Sequence, residues 1–121
     1  MNRLLILPVL LLTLLVGTPA SSTDFQKGLT AAQSRDFATA LREWKPLAKQ
    51  GNASAQFFLG LMHEDGKGVP KNNKTAVKWY RLAAEQGDAL AQYNLGVMYE
   101  KGQGVPQDYK TAVKWYLHPQ E

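Results

Sequence analysis

The chain has 121 residues, with 14 Lys and Arg against 10 Asp and Glu, for a formal net charge of +4. That length holds one small domain, and so mild a basic balance does not by itself call for a nucleic-acid partner. There is no cysteine, which excludes a disulfide framework and a lipid-modified cysteine and leaves packing alone to hold the fold.

Residues 1–20 read as an export signal. Arg3 forms a short positive head, and "LLILPVLLLTLLV" at 4–16 is a run of thirteen apolar or near-apolar residues. Such a run spans only about 20 Å as a helix, against roughly 30 Å for a bilayer core. Thr18 and Ala20 then make a small-x-small pattern ahead of Ser21, so cleavage after Ala20 is expected, with a periplasmic or secreted product. Loss of Arg3 takes the formal charge from +4 to +3.

The stretch 21–51 predicts an atypical opening helix pair: a helix over about 24–34, a tight turn, and a second helix over about 36–49. Pro46 is expected to kink or restart that second helix. From residue 38 onward the chain repeats itself. A shift of thirty-six residues lays 38–73 over 74–109, and "KTAVKWY" at 74–80 recurs letter for letter at 110–116. That period suits a pair of antiparallel helices, the unit of an α-solenoid. Two units follow the opening pair, 52–87 and 88–121, the second cut short at "WYLHPQE".

Within each unit the apolar positions share a helical face. Ala55, Leu59 and Met62 stand at i, i+4 and i+7, as do Ala91, Leu95 and Met98. In the second helices Ala76, Tyr80 and Ala83 make the core face, with Trp79 and Ala84 beside it and Lys74, Lys78 and Glu85 opposite. Gly51 and Gly87 fall where a helix end wants a left-handed residue. Gly60 and Gly96 sit inside helices, where glycine costs about 1 kcal/mol, so their recurrence calls for close packing.

The doubled segments "GKGVPKNNKTAVKWY" at 66–80 and "GQGVPQDYKTAVKWY" at 102–116 pair a glycine-rich loop with lysine and threonine. A phosphate cradle needs four residues between its glycines and a lysine directly after the second. Here one residue separates them and Val-Pro follows. The loop is therefore read as a corner: Gly66 and Gly102 end a helix, and Gly68 and Gly104 bend the chain again. Val69 and Val105 return to the core, and Pro70 and Pro106 stiffen the next entry.

Together, "AQYNLGVMYEKGQGVPQDYKTAVKWY" and "RLAAEQGDA" at 81–89 resemble the Sel1-like (SLR) repeat, a relative of the tetratricopeptide repeat. The resemblance covers about 38–116, while the opening pair is closer to a plain tetratricopeptide unit. With the three helix pairs counted above, it implies an all-α right-handed superhelix that acts as an adaptor in protein assemblies, of a kind often exported in bacteria. It also implies a concave surface lined by the first helices.

Binding positions are sought where the two copies differ. Ser54/Leu90, Phe58/Asn94, Leu61/Val97 and Asp65/Lys101 recur at spacings of four, three and four and form one stripe. Phe58 and Leu61 are its expected apolar anchors for a protein or peptide partner; packing against adjacent helices is the alternative. No cofactor or metal is expected. "HED" at His63 lacks a second histidine one turn on, where Lys67 stands. Some cysteine-rich relatives act on β-lactams, and a cell-wall or β-lactam hydrolase is the rival from another class. However, Ser21, Ser22, Ser34 and Ser54 lack a lysine three residues on, so no catalytic residue is assigned. Arg42, Lys45 and Lys49, then Lys74, Lys78 and Arg81, then Lys110 and Lys114 read as a solvated wall. Weak contact with an anionic envelope surface is a further reading, whereas nucleic acid is not expected in an exported chain. Around Trp115 and Tyr116 the closing "AAEQG" is missing, which leaves three readings open: self-association, a partner, or a shortened array.

Overall fold

The computed structural model describes residues 21–118. The expected signal at 1–20 lies outside the described residues. The described chain forms six helices: α1 (Ser21–Gln33), α2 (Phe37–Lys49), α3 (Ala53–Asp65), α4 (Asn73–Glu85), α5 (Ala89–Lys101) and α6 (Tyr109–Tyr116). Each packs chiefly on its neighbours in sequence, the pattern of a solenoid whose stability is a sum of local interfaces.

Side-chain caps start five of the helices. Asp36, Asn52, Asn72, Asp88 and Asp108 accept from the backbone N–H three residues on, at 2.8 to 3.2 Å. A capping oxygen of this kind contributes about 1 kcal/mol by satisfying an otherwise orphan donor. The side chains of Thr39 and Thr111 first, and then these backbone bonds, hold the Asp36 and Asp108 carboxyls below the usual carboxylate range. Helix ends are closed by glycine as expected: Gly66 and Gly102 take left-handed φ of 67° and return an N–H to the carbonyls of Met62 and Met98.

Pro46 corrects one expectation. Helix α2 does not restart there: it runs unbroken from Phe37 to Lys49, and Gln50 N–H reaches the Pro46 carbonyl at 3.1 Å. The proline stands on the exposed face in the last turn. Water there can take the Arg42 carbonyl that the ring leaves without a helical donor.

Two apolar clusters run through the stack. One joins Ala40, Trp44, Leu47 and Ala48 of α2 to Ala55, Leu59 and Met62 of α3. The other joins Ala76, Val77, Tyr80, Ala83 and Ala84 of α4 to Ala91, Leu95 and Met98 of α5. Trp79 is half-buried against the first cluster. Gly60 and Gly96 have the packing reason the sequence demanded, because the Tyr80 and Tyr116 rings lie where a Cβ would stand, at 2.4 and 2.6 Å.

The opening pair obeys the same rule. Gly28 is buried with the Trp44 indole 2.2 Å from where its Cβ would be. Gly28 precedes Gly60 by 32 residues instead of 36, because α1 and α2 are linked by three residues (34–36) where α3 and α4 use seven (66–72). Arg35 makes that short turn with a left-handed φ of 64°.

The long corners join units together. A Cβ on Gly68 would meet Phe37 at the start of α2 at 3.0 Å, and one on Gly104 would meet the Asn73 carbonyl at the start of α4 at 2.4 Å. Lys67 N–H donates to Met62 and Asn72 N–H to His63, with the same bonds from Gln103 to Met98 and Asp108 to Tyr99. These corner donors are thus spent on helix carbonyls instead of pointing at an anion. Val69 and Val105 pack back onto the two clusters.

Candidate functional site

The eight stripe residues do not behave alike. Ser54, Asp65, Leu90 and Lys101 are exposed, whereas Phe58, Leu61, Asn94 and Val97 are half-buried. Phe58, Leu61 and Asp65 are brought together with the opening pair. They line a groove of about 280 Å³ between α1, α2 and α3, whose other walls are Leu29, Ala32, Gln33, Phe37, Trp44 and Met62. Lys67 lies at its edge, its ammonium 5.6 Å from the centre of the Phe37 ring.

The floor of this groove is a packed aromatic cluster. Phe58 stacks on Trp44 with centroids 4.7 Å apart and planes at 23°, and it also meets Phe25 at 5.8 Å and Phe57 at 5.4 Å. The Trp44 indole N–H donates to the Phe25 carbonyl at 3.2 Å, which satisfies the one polar atom of a buried ring. Phe58 therefore packs against adjacent helices, the alternative the sequence offered, and also forms a wall of the groove.

One unit later the aromatic positions carry polar groups, although Val97 and Met98 keep the apolar character of Leu61 and Met62. Asn94 stands where Phe58 does, and Tyr80 replaces Trp44. The Tyr80 hydroxyl donates to Glu64 at 2.6 Å and has Asn94 as a further hydrogen-bond partner. Burial first, and then the Glu64 carboxylate, raise the Tyr80 hydroxyl well above its ordinary pKa. Asn94, Val97 and Lys101 do not line the apolar groove, and Leu90 lies apart from it.

His63 is half-buried where Tyr99 stands in the next unit. Its Nδ1 is buried without a hydrogen bond, and burial, with Lys45 nearby, lowers its pKa from 6.5. The matching pair in the next unit, Arg81 and Tyr99, is joined by a hydrogen bond from the guanidinium to the hydroxyl. Among the described residues, no three His, Cys, Asp or Glu side chains converge as a metal site requires. Nor is any described helix long and apolar enough to cross a membrane.

The basic residues of the second helices are exposed, apart from a half-buried Arg81, and Arg42, Lys45 and Lys49 line one shallow groove on α2. Two buried residues that carry structure were not singled out by the sequence. Gln56 donates to the Ala48 carbonyl at 3.0 Å, and Gln92 to that of Ala84 at 3.1 Å. Each closes the last turn of the preceding helix, and their identity in both copies was the available signal.

The geometry agrees with what the chain is similar to. Residues 53–88 and 89–117 match the Sel1 repeat family. A Sel1 repeat protein from Oxalobacter formigenes is 40% identical over 75% of this chain and 37% of its own, with a TM-score of 0.72. A protective antigen of uropathogenic Escherichia coli strains with an SLR fold is 36% identical over 79% of this chain and 21% of its own, with a TM-score of 0.76. The chain thus spans well under half of either relative. No curated protein matches it. With two consecutive matches covering most of its helices, the chain belongs to the Sel1 repeat family.

Proposed function

We propose that this chain is a binding module for a protein partner, whose large apolar side chain seats in the groove between α1, α2 and α3. Sel1 repeat chains are commonly protein–protein interaction modules. The observation that carries the specific reading is the groove itself: an aromatic floor of Trp44 and Phe58, apolar walls, and Asp65 and Lys67 at the lip. A volume of about 280 Å³ suits one or two apolar side chains and falls just short of the pockets that hold drug-sized molecules. The stacked floor is already ordered, so a partner loses little to rearrangement on binding. The chain acts without catalysis in this reading, and export to the periplasm or beyond is part of it, supported by the apolar run at 4–16 behind Arg3.

The test is selection of a displayed random-peptide library on the full chain, with Phe58→Asn as the counter-target because the next unit tolerates asparagine there. Enriched peptides should share a Trp, Phe or Leu and lose binding to Phe58→Asn. Peptides that bind both chains equally would refute the groove, provided helicity is the same in both. Recovery from an envelope fraction of a chain that begins at Ser21 tests export; one that retains residues 1–20 would contradict it.

A further inference from the structure

The two ends of the stack are unlike. At the α1 end the outward face is polar, with Thr23, Gln26, Lys27 and Thr30 exposed at spacings of three and four. At the α6 end it is apolar: Leu90, Tyr93, Tyr109, Val113, Tyr116 and Leu117 are all exposed. The repeat itself provides the comparison. Val77 and Tyr80 are 3% and 0% exposed in α4, where α5 covers them, whereas their counterparts Val113 and Tyr116 are 50% and 37% exposed. Phe57 is 8% exposed and its counterpart Tyr93 60%. Residues that are core in one unit are surface in the next.

We propose that this face is closed by the same face of a second copy, in a tail-to-tail dimer. Three observations select that occupant. Among the described residues, the outward face of α1 carries Thr23, Gln26, Lys27 and Thr30, so head-to-tail stacking would press the patch onto hydroxyls, an amide and a lysine and would also form open chains. The patch also suffices in size. Its tyrosines expose on the order of 300 Å², and with Leu90, Val113 and Leu117 the total is roughly 600 Å² per copy, so about 1,200 Å² across a pair, the lower edge of specific interfaces. Finally, Tyr109 and Val113 stand at i and i+4 on one face of α6, with the C-cap residue Leu117 following at i+8. Two such helices crossing antiparallel about a twofold axis set Val113 against its own copy and Tyr109 against the other's Leu117. The rim carries both signs, Lys110 and Lys114 beside Asp108 and Glu100, so the approach meets no single-sign repulsion. This inference is independent of the groove.

The experiment is sedimentation velocity on the full chain from about 1 to about 100 μM, with helicity checked for every variant. A monomer–dimer equilibrium is expected, and Val113→Glu and Leu117→Glu should each raise the dissociation constant by about tenfold or more. Thr30→Glu, at the other end, should leave it unchanged. Both end-face sites are half or more exposed, so folding should survive; if Val113→Glu does not fold, Leu117→Glu decides. In a chain without cysteine, Val113→Cys should oxidise to a covalent dimer and Thr30→Cys should not. A monomer at every concentration, growth beyond the dimer, indifference to both glutamates, or sensitivity to Thr30→Glu would each overturn the proposal.

Discussion

Alanine at Gly60 and at Gly96 is the same substitution in the same repeat position, yet the structure predicts different outcomes. In both, a Cβ would enter a tyrosine ring, at 2.4 Å from Tyr80 and 2.6 Å from Tyr116. Tyr80 is fully buried and bonded to Glu64, so its ring can yield only by shifting α4. Overpacking of this kind costs about 1–3 kcal/mol, the strained hydroxyl bond adds about 1 kcal/mol, and the better helix propensity of alanine returns about 1 kcal/mol. The net for Gly60→Ala is a loss of about 2 kcal/mol. For a domain this size that is a fall of roughly 8–16 °C in Tm. Tyr116 makes the matching bond, to Glu100 at 2.7 Å, but that bond and 37% of the residue are exposed. The ring can therefore swing outward with water replacing the carboxylate, and Gly96→Ala should stay within about 1 kcal/mol of the parent. Thermal and urea unfolding followed by circular dichroism, at low protein concentration, measures both. Equal losses at the two glycines, or a neutral Gly60→Ala, would refute the argument that burial of the facing ring sets the cost.

Three further outcomes follow from the same geometry. His63 has a folded pKa below its ordinary 6.5, so the unfolded chain binds more protons between the two values; stability is fully present above about 6.5 and falls as pH drops towards the folded value. Urea midpoints from pH 7 to 5 should therefore decline less in His63→Tyr, which copies Tyr99, and equal slopes would count against it. Gly104→Ala and Gly87→Ala both force alanine into positive φ, but only the former drives a Cβ towards the Asn73 carbonyl, while Gly87 has nothing within 4 Å. The former should be worse by at least about 1 kcal/mol in urea unfolding, and parity would show that the corner does not brace the preceding unit. If the exposed Arg42, Lys45 and Lys49 groove touches anionic surfaces, retention on phosphatidylglycerol vesicles should drop in Lys45→Glu/Lys49→Glu and vanish near 1 M salt, where the Debye length is about 3 Å. Salt-independent retention would exclude that contact.

Much of the fold was legible because a repeat writes its own alignment. Ala55, Leu59 and Met62 declared a buried face through period alone, and Gly66 and Gly102 declared helix ends through their recurrence before Val-Pro. Gly28 escaped because the short turn at Arg35 broke the thirty-six-residue register. Pro46 misled because propensity does not say that a proline in a last turn faces water. Phe58 was chosen because it differs between units, but neither its stacking on Trp44 nor its partnership with Leu29 and Phe37 is encoded in local spacing.

By itself the amino-acid order determined which residues are helical, which face of each helix is apolar, and where the chain turns, since these depend on near neighbours and on period. Only the tertiary structure decided that the apolar groove forms at the junction of α1, α2 and α3 while its counterpart carries Asn94 and Tyr80, and which residues near the missing closing segment are bare: Tyr93, Val113 and Tyr116 are exposed, whereas Trp115 is half-buried. Both depend on which side chains meet across helices far apart in sequence, and a contact of that kind has no period to read.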